Sequence, residues 1–190
     1  MAITAAAVKE LRDLTGAGMM DCKRALEESD GDVQKAVAFL RERGIAQAEK
    51  KAGREAREGV IGSYIHTGGR VGVIVEVNCE TDFVARTDEF QKLVRDLAIQ
   101  VAGLNPRWVA PEDVPQEAID AKREELAGDP RTRGDVEAGV KRWLKEAVLL
   151  EQPFRDTNLT VRDLLTDRIA TIGENIRVRR FARFEVGEEL

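Results

Sequence analysis

The chain has 190 residues, 43% hydrophobic and 34% charged, with a formal net charge of −5. This balance fits a folded, helix-rich chain better than a disordered one and argues against a general nucleic-acid binder, whose affinity comes from an excess of Lys and Arg on the phosphates. No apolar run approaches the roughly 18 residues of a membrane span, and Lys9 and Glu10 break the opening segment before a signal peptide could form, so a cytoplasmic chain without membrane contact is expected.

The first 44 residues read as three short amphipathic helices. Ile3, Ala7, Val8, Leu11 and Leu14 keep helical spacing, with Thr4 placed to cap them. "TGAG" interrupts the pattern; Met19, Cys22 and Leu26 then form a second stripe that ends at "SDGD". Val33, Ala36, Val37 and Leu40 make the third, and Gly44 stands where a left-handed C-terminal residue belongs. Residues 1–44 thus suggest a three-helix domain of ubiquitin-associated type, a core small enough to be marginal alone. Residues 45–58 carry alanine and both signs of charge without an apolar stripe, as a solvated linker helix does. Lys50, Lys51, Arg54 and Arg57 offer a contact for an acidic partner, largely offset by Glu49, Glu55 and Glu58.

From Gly59 the period becomes that of strands, and residues 59–190 read as an α+β core. "VIGSYIH" and "RVGVIVEV" flank Thr67-Gly68-Gly69, a tight-hairpin signal, with Val71, Val73, Val75 and Val77 on one face. Phe90, Leu93, Val94, Leu97 and Val101 define a helix ending near Gly103, and "NPRWVAPEDVP" a loop. Helical pieces at 116–127 and 134–147 suggest an antiparallel hairpin leaning on a small antiparallel sheet; the second holds Val136, Val140, Trp143, Leu144 and Ala147. A further helix carries Val161, Leu164, Leu165, Ile169 and Ile172 between Thr160 and Gly173. The last strand places Ile176, Val178, Ala182, Phe184 and Val186 on one face and Phe181 on the other.

The residue inventory supplies no catalytic site, metal site or cofactor site. His66 is the one histidine, beside a turn and without a clustered partner; Cys22 and Cys79 share no metal-ligand spacing and read as reduced thiols. "TGAGMMDCK" follows a helix rather than a strand and lacks the ending of a phosphate loop. A protein acting by contact remains.

The segment "VNCETDFVARTDEF" sets a large aromatic, Phe83, between an aspartate and the next helix. Phe83 and Phe90 would share one stripe of a continuous helix, but Arg86 and Thr87 between them are polar, and Thr87-Asp88-Glu89 opens a helix of its own. The residues alone leave Phe83 equally suited to the core and to a turn. "TDFVAR", preceded by "VEVNCE" and "YIHTGGRVG", strongly resembles the signature of the bacterial translation elongation factor Ts family. "ITAAAVKELRDLTGAGMMDCKRALEESDGDVQKA", "LLEQPF" and "IGENIRVRRFARFEVGE" extend the resemblance over nearly the whole chain.

The resemblance implies a guanine-nucleotide exchange factor for elongation factor Tu, not an enzyme. Carried onto this sequence, Thr81, Asp82, Phe83 and Val84 form the magnesium-displacing turn, and Arg12, Met19, Met20 and Lys23 are N-terminal partner contacts. Met19 also fits the core stripe, whereas Met20 lies off it. The chain resembles the short form, with one core subdomain, in which two chains pair; a homodimer carrying two GTPases is implied, with its C-terminal strand near the interface. Ala182 stands where some members have Cys, so a disulfide there is ruled out. "GDPRTRGDVEAG" departs from a longer, more regular hairpin in the family. Two other readings compete: a ubiquitin-fold or peptide-binding adaptor, from the three helices alone, and an RNA-binding factor, from Arg177, Arg179, Arg180 and Arg183.

Overall fold

A computed structural model describes residues 3–129, 135–155 and 157–188. Helices α1 (Ala5–Thr15), α2 (Met19–Glu28) and α3 (Val33–Ala52) come first. Thr4 caps α1 by accepting from the Ala7 amide, and Asp32 caps α3 by accepting from Gln34 and Lys35. Such caps satisfy amides that have no partner within the helix, each worth about 1 kcal/mol. Val8, Leu11, Cys22, Ala25, Leu26 and Ala36 close a small apolar cluster among the three. Leu14 and Met19, expected on the core stripes, are exposed instead, because each stands at the helix end that meets the Gly16–Gly18 turn.

Gly44 does not end the third helix. It lies buried inside α3, where an added Cβ would sit 3.5 Å from the Ala170 side chain, so its smallness serves helix crossing. The expected linker helix is the continuation of α3 to Ala52, and a short non-helical stretch, residues 53–57, then leads into the sheet. α3 packs along α8 (Val161–Ile172), with Arg41 donating to Asp163 at 2.8 Å and Lys51 to the Ile169 carbonyl at 3.1 Å. Arg54 pairs with Glu80 and Arg57 with Glu55, so three of the four basic residues of that stretch are engaged within the chain.

The three-stranded antiparallel sheet runs β1 (Glu58–Ile65), β2 (Val71–Cys79), β3 (Arg177–Glu185), with β2 central. Gly68 and Gly69 take the positive φ, 92° and 69°, that the β1–β2 turn demands. One sheet face is covered by α5 (Asp88–Leu104), whose Phe90, Leu93, Val94, Leu97 and Val101 are all buried against Val73, Val75 and Val77. Gly62 permits the approach: a Cβ there would meet Val94 at 2.3 Å. α8 completes this main core through Val161, Leu164, Leu165 and Ile169.

A bulge corrects the expected faces of β3. Between Glu76 and Val77 the register slips, so Val178 pairs with Val77 but Phe181 pairs with Val75. Val178 and Phe181 therefore both face the core, while Ala182, Phe184 and Val186 are turned outward. The extra residue inverts the alternation that sequence spacing assumes. The outer face consequently exposes Ile61, Ile65, Ile74 and Phe184.

α6 (Gln116–Gly128) and α7 (Val136–Ala147) pair as a hairpin. Its main partners are its own two helices and the 149–151 turn rather than the sheet, with Trp143 meeting Trp108 edge-on at 5.6 Å. Part of the "GDPRTRGDVEAG" tip, residues 130–134, lies outside the described residues. α5 ends on Asn105 in the left-handed conformation, two residues beyond Gly103.

Candidate partner-contact site

Residues 80–87 form a turn between β2 and α5, built around a one-turn helix, α4 (Asp82–Ala85). Thr81 starts it, its hydroxyl accepting from the Val84 amide at 3.3 Å. Thr87 stops it and caps α5 by accepting from the Phe90 amide. One helical turn must divide its side chains between inside and outside. Val84 and Ala85 enter the main core, which leaves Asp82, Phe83 and Arg86 facing solvent. Phe83 is 76% exposed whereas Phe90 is fully buried, so the core alternative for Phe83 does not hold. Val84, which the resemblance groups with the contact residues, is buried and anchors the turn inward.

The mount beneath Phe83 is dense. The Glu174 carboxylate accepts from the Glu80 amide (3.0 Å), the Thr81 amide (3.0 Å) and the Thr81 hydroxyl (2.7 Å). In return, Glu80 accepts from the Asn175 amide at 2.6 Å. Cys79 lies beneath, its thiol donating to the Thr81 carbonyl at 3.2 Å. Burial, reinforced by the charge of Glu174, pushes the Cys79 thiol up to about 11. That thiol is an inert packing group, not a nucleophile. On the outer side Asp82 pairs with Arg86 at 2.7 Å, both largely exposed.

The second set of predicted contacts gathers at the α1–α2 turn. Gly16 closes α1 with φ 70°, and Gly18 precedes α2 without a side-chain cap. Leu14, Met19 and Met20 are exposed around this turn, Met20 at 70%. Arg12 is exposed on α1, and Lys23 on α2 pairs with Glu27 at 3.7 Å. Leu14 also rims a cleft of about 420 Å³ against α3 and α8, lined by Val37, Leu40, Ile45, Leu159 and Ala170. These residues sit on the small cluster, whereas Thr81–Val84 sit on the main core.

The sequence profile of the family described as Elongation factor TS matches residues 2–166. The chain belongs to the elongation factor Ts family. It is 56% identical to Elongation factor Ts of Carboxydothermus hydrogenoformans, over 99% of this chain and 91% of that one. Elongation factor Ts of Synechococcus elongatus is 57% identical over 98% and 89% of the two chains. That of a Thermoanaerobacter species is 54% identical over 98% and 96%. An elongation factor Ts serves translation elongation, and the α+β fold described above agrees with what the resemblance implied.

Other features of the chain bear on its chemistry. Tyr64 bonds His66 at 3.0 Å on the exposed hairpin. Among the described residues no group of three or more His, Cys, Asp or Glu is placed to hold a metal, and no helix is long and apolar enough to cross a membrane. Arg179 and Arg180 both grip Glu76, whose carboxyl is held below its usual range, chiefly by the Arg180 hydrogen bond. Arg183 pairs with Glu185 and Glu188. Three of the four arginines that suggested RNA are thus ion-paired within the chain. Sequence reasoning missed Glu80, Glu174 and Asn175 as the mount of the turn. Glu174 and Thr81 are 93 residues apart, and no periodicity links such a pair.

Proposed function

We propose that this chain is a guanine-nucleotide exchange factor for elongation factor Tu, which binds the GDP-bound GTPase, displaces its magnesium and speeds GDP release so that GTP can enter. The observation that carries the reading is Phe83: a large aromatic, exposed at the tip of a one-turn helix whose other apolar residues are buried. A soluble protein gains nothing in folding from such a side chain, and an exposed aromatic on a rigid support is what a hot spot looks like before its partner arrives. Phe loses little rotamer entropy on insertion. Asp82 beside it supplies a hydrogen-bond acceptor and a charge that repels phosphate.

Magnesium bridges phosphate oxygens and offsets their charge. Displacing it leaves that charge uncompensated, so nucleotide dissociates faster. A thousandfold acceleration requires about 4 kcal/mol off the barrier, and an aromatic anchor is worth roughly 2–4 kcal/mol on truncation. Phe83 therefore supplies a large part, and the rest of the interface holds the GTPase open. Residues 1–44 form the docking unit in this reading, with Met20, Met19, Arg12 and Lys23 against the nucleotide domain. Exchange is then a binding linkage in which factor and nucleotide weaken each other reciprocally. The chain makes and breaks no covalent bond.

We also propose that two copies pair through the outer face of the sheet. Ile61, Ile65, Ile74 and Phe184 lie exposed there together, and an apolar patch of that kind marks an interface. Ala182 lies on the same face, beside Ile74 in the register.

The test is release of a fluorescent GDP analogue from elongation factor Tu, followed in a stopped-flow instrument. Release accelerated by the folded chain, and lost when excess magnesium is supplied, supports the reading. No acceleration by the folded chain would sink it and return the adaptor reading. Sedimentation equilibrium tests the pairing, with a dimer expected and Ile74→Lys expected to give a monomer; a wild-type monomer at tens of micromolar would contradict it.

A further inference from the structure

We propose that Glu174 is a positioning residue for the exchange turn, fixing the orientation of Asp82-Phe83 relative to the docking helix α3; this rests on the exchange reading above. The carboxylate takes both amides and the hydroxyl that immediately precede Asp82, at 3.0, 3.0 and 2.7 Å. Three donors on one carboxylate, with the acceptor charged, make a stronger and more directional tie than neutral hydrogen bonds. Glu174 is itself placed by Gly173, which closes α8 in the left-handed conformation with φ 90°. The strand end is thereby clamped by the α8–β3 connection, just where the chain leaves β2 for the turn.

The clamp also reaches α3. Asn175 donates its backbone amide to Glu80 at 2.6 Å and its side-chain amide to the Arg54 carbonyl at 2.8 Å and the Ala52 carbonyl at 3.4 Å. Arg54 closes the ring through its ion pair with Glu80 at 3.6 Å. Ala52 ends the 20-residue helix whose first turns pack with α1 and α2. Residues 174 and 175 therefore join three things: the root of the exposed turn, the far end of the docking helix, and the start of β3. None of these bonds touches the outward surface of Asp82 or Phe83. Their effect is to set the direction in which the turn projects when the N-terminal helices are docked. Alignment of this kind governs rate more than affinity, since a misplacement of about 1 Å can cost up to a hundredfold in a positioned step.

The experiment measures GDP release from elongation factor Tu as a function of factor concentration. It uses the wild-type chain, Glu174→Ala, Glu174→Gln, Phe83→Ala and Glu174→Ala with Phe83→Ala. Thermal unfolding is recorded for each. Glu174→Ala is expected to lower the limiting release rate about tenfold, the equivalent of about 1.4 kcal/mol, with the half-saturating concentration unchanged. Glu174→Gln keeps an acceptor oxygen and is expected to fall between Ala and wild type; it carries the test if the Ala variant does not fold. On the Phe83→Ala background, Glu174→Ala is expected to cost severalfold less than on the wild type, because only Asp82 remains to be oriented. A fall of the same size on both backgrounds, a change confined to the half-saturating concentration, or wild-type rates in both Glu174 variants would each overturn the assignment. No acceleration by the wild-type chain would instead sink the exchange reading and this inference with it.

Discussion

The Phe83 turn and the Leu14–Met20 segment both present apolar side chains to solvent, yet they are held in different ways. Phe83 stands on a turn fixed by Val84 and Ala85 in the core and by the Glu174 carboxylate beneath. Leu14, Met19 and Met20 surround a turn of two glycines and one alanine on a cluster of six small and medium buried residues. Methionine adapts its shape to what it meets, whereas phenylalanine on a rigid mount keeps its own. In the proposed exchange the difference suits two tasks: a surface that adapts would give docking, and a surface that does not yield would give displacement.

The sharpest way to probe this contrast compares the two phenylalanines of the segment. Phe90→Ala empties the centre of the main core and is expected to cost about 3–5 kcal/mol of stability. Phe83→Ala removes a side chain that touches little and is expected to stay within about 0.5 kcal/mol; urea unfolding checks both. A large loss from Phe83→Ala would show that the tip belongs to the fold after all. Next in size, Met20→Ala is expected to weaken binding to the GTPase by about 1–2 kcal/mol while leaving the release rate at saturation unchanged. Titration calorimetry beside stopped-flow release separates the two, and a fall in the saturated rate would erase the division of labour.

A pH series examines the mount. Cys79 rises from an ordinary 9.0 to about 11, burial being the main cause. Its neutral form is favoured in the folded state, so between these values the folded chain holds a proton that the unfolded chain releases. Stability from this group is present below pH 9 and is lost as pH climbs toward about 11. Urea midpoints at pH 8 and pH 10 are expected to differ more in the wild type than in Cys79→Ala. Equal differences would remove the thiol from the account. Smallest of all, Arg86→Ala breaks an exposed pair with Asp82 and is expected to alter stability by less than about 1 kcal/mol. Its release rate is expected to rise slightly, since Asp82 no longer has to leave a partner; a severalfold fall would place Arg86 in the contact itself.

Much of this architecture was legible beforehand because it rests on local rules. The α5 stripe, the Thr160 and Gly173 limits of α8, and the Gly68-Gly69 hairpin follow from periodicity, capping and positive φ. The structure departs from those rules where tertiary contact overrides them. Gly44 has the residue type of a helix stop, but α8 lies against it and turns it into a crossing point. The bulge at Glu76/Val77 shifts β3 by one residue, which a pattern of alternation cannot reveal from one strand alone. Met19 kept the helical period of the core yet lies at the first position of α2, beyond the cluster's reach. The site was half visible for the same reason. Local polarity argued that residues 81–86 break from α5, but their orientation depends on Glu174, which only the folded chain brings near.

The measurement closest to the central proposal is the limiting rate of GDP release from elongation factor Tu with Phe83→Ala against the wild type. Phe83→Ala, with an unfolding midpoint equal to wild type, is expected to lower that rate about 30-fold or more, the equivalent of roughly 2 kcal/mol. An unchanged limiting rate from a folded, GTPase-binding variant would contradict the account and leave the exposed aromatic without the role given to it.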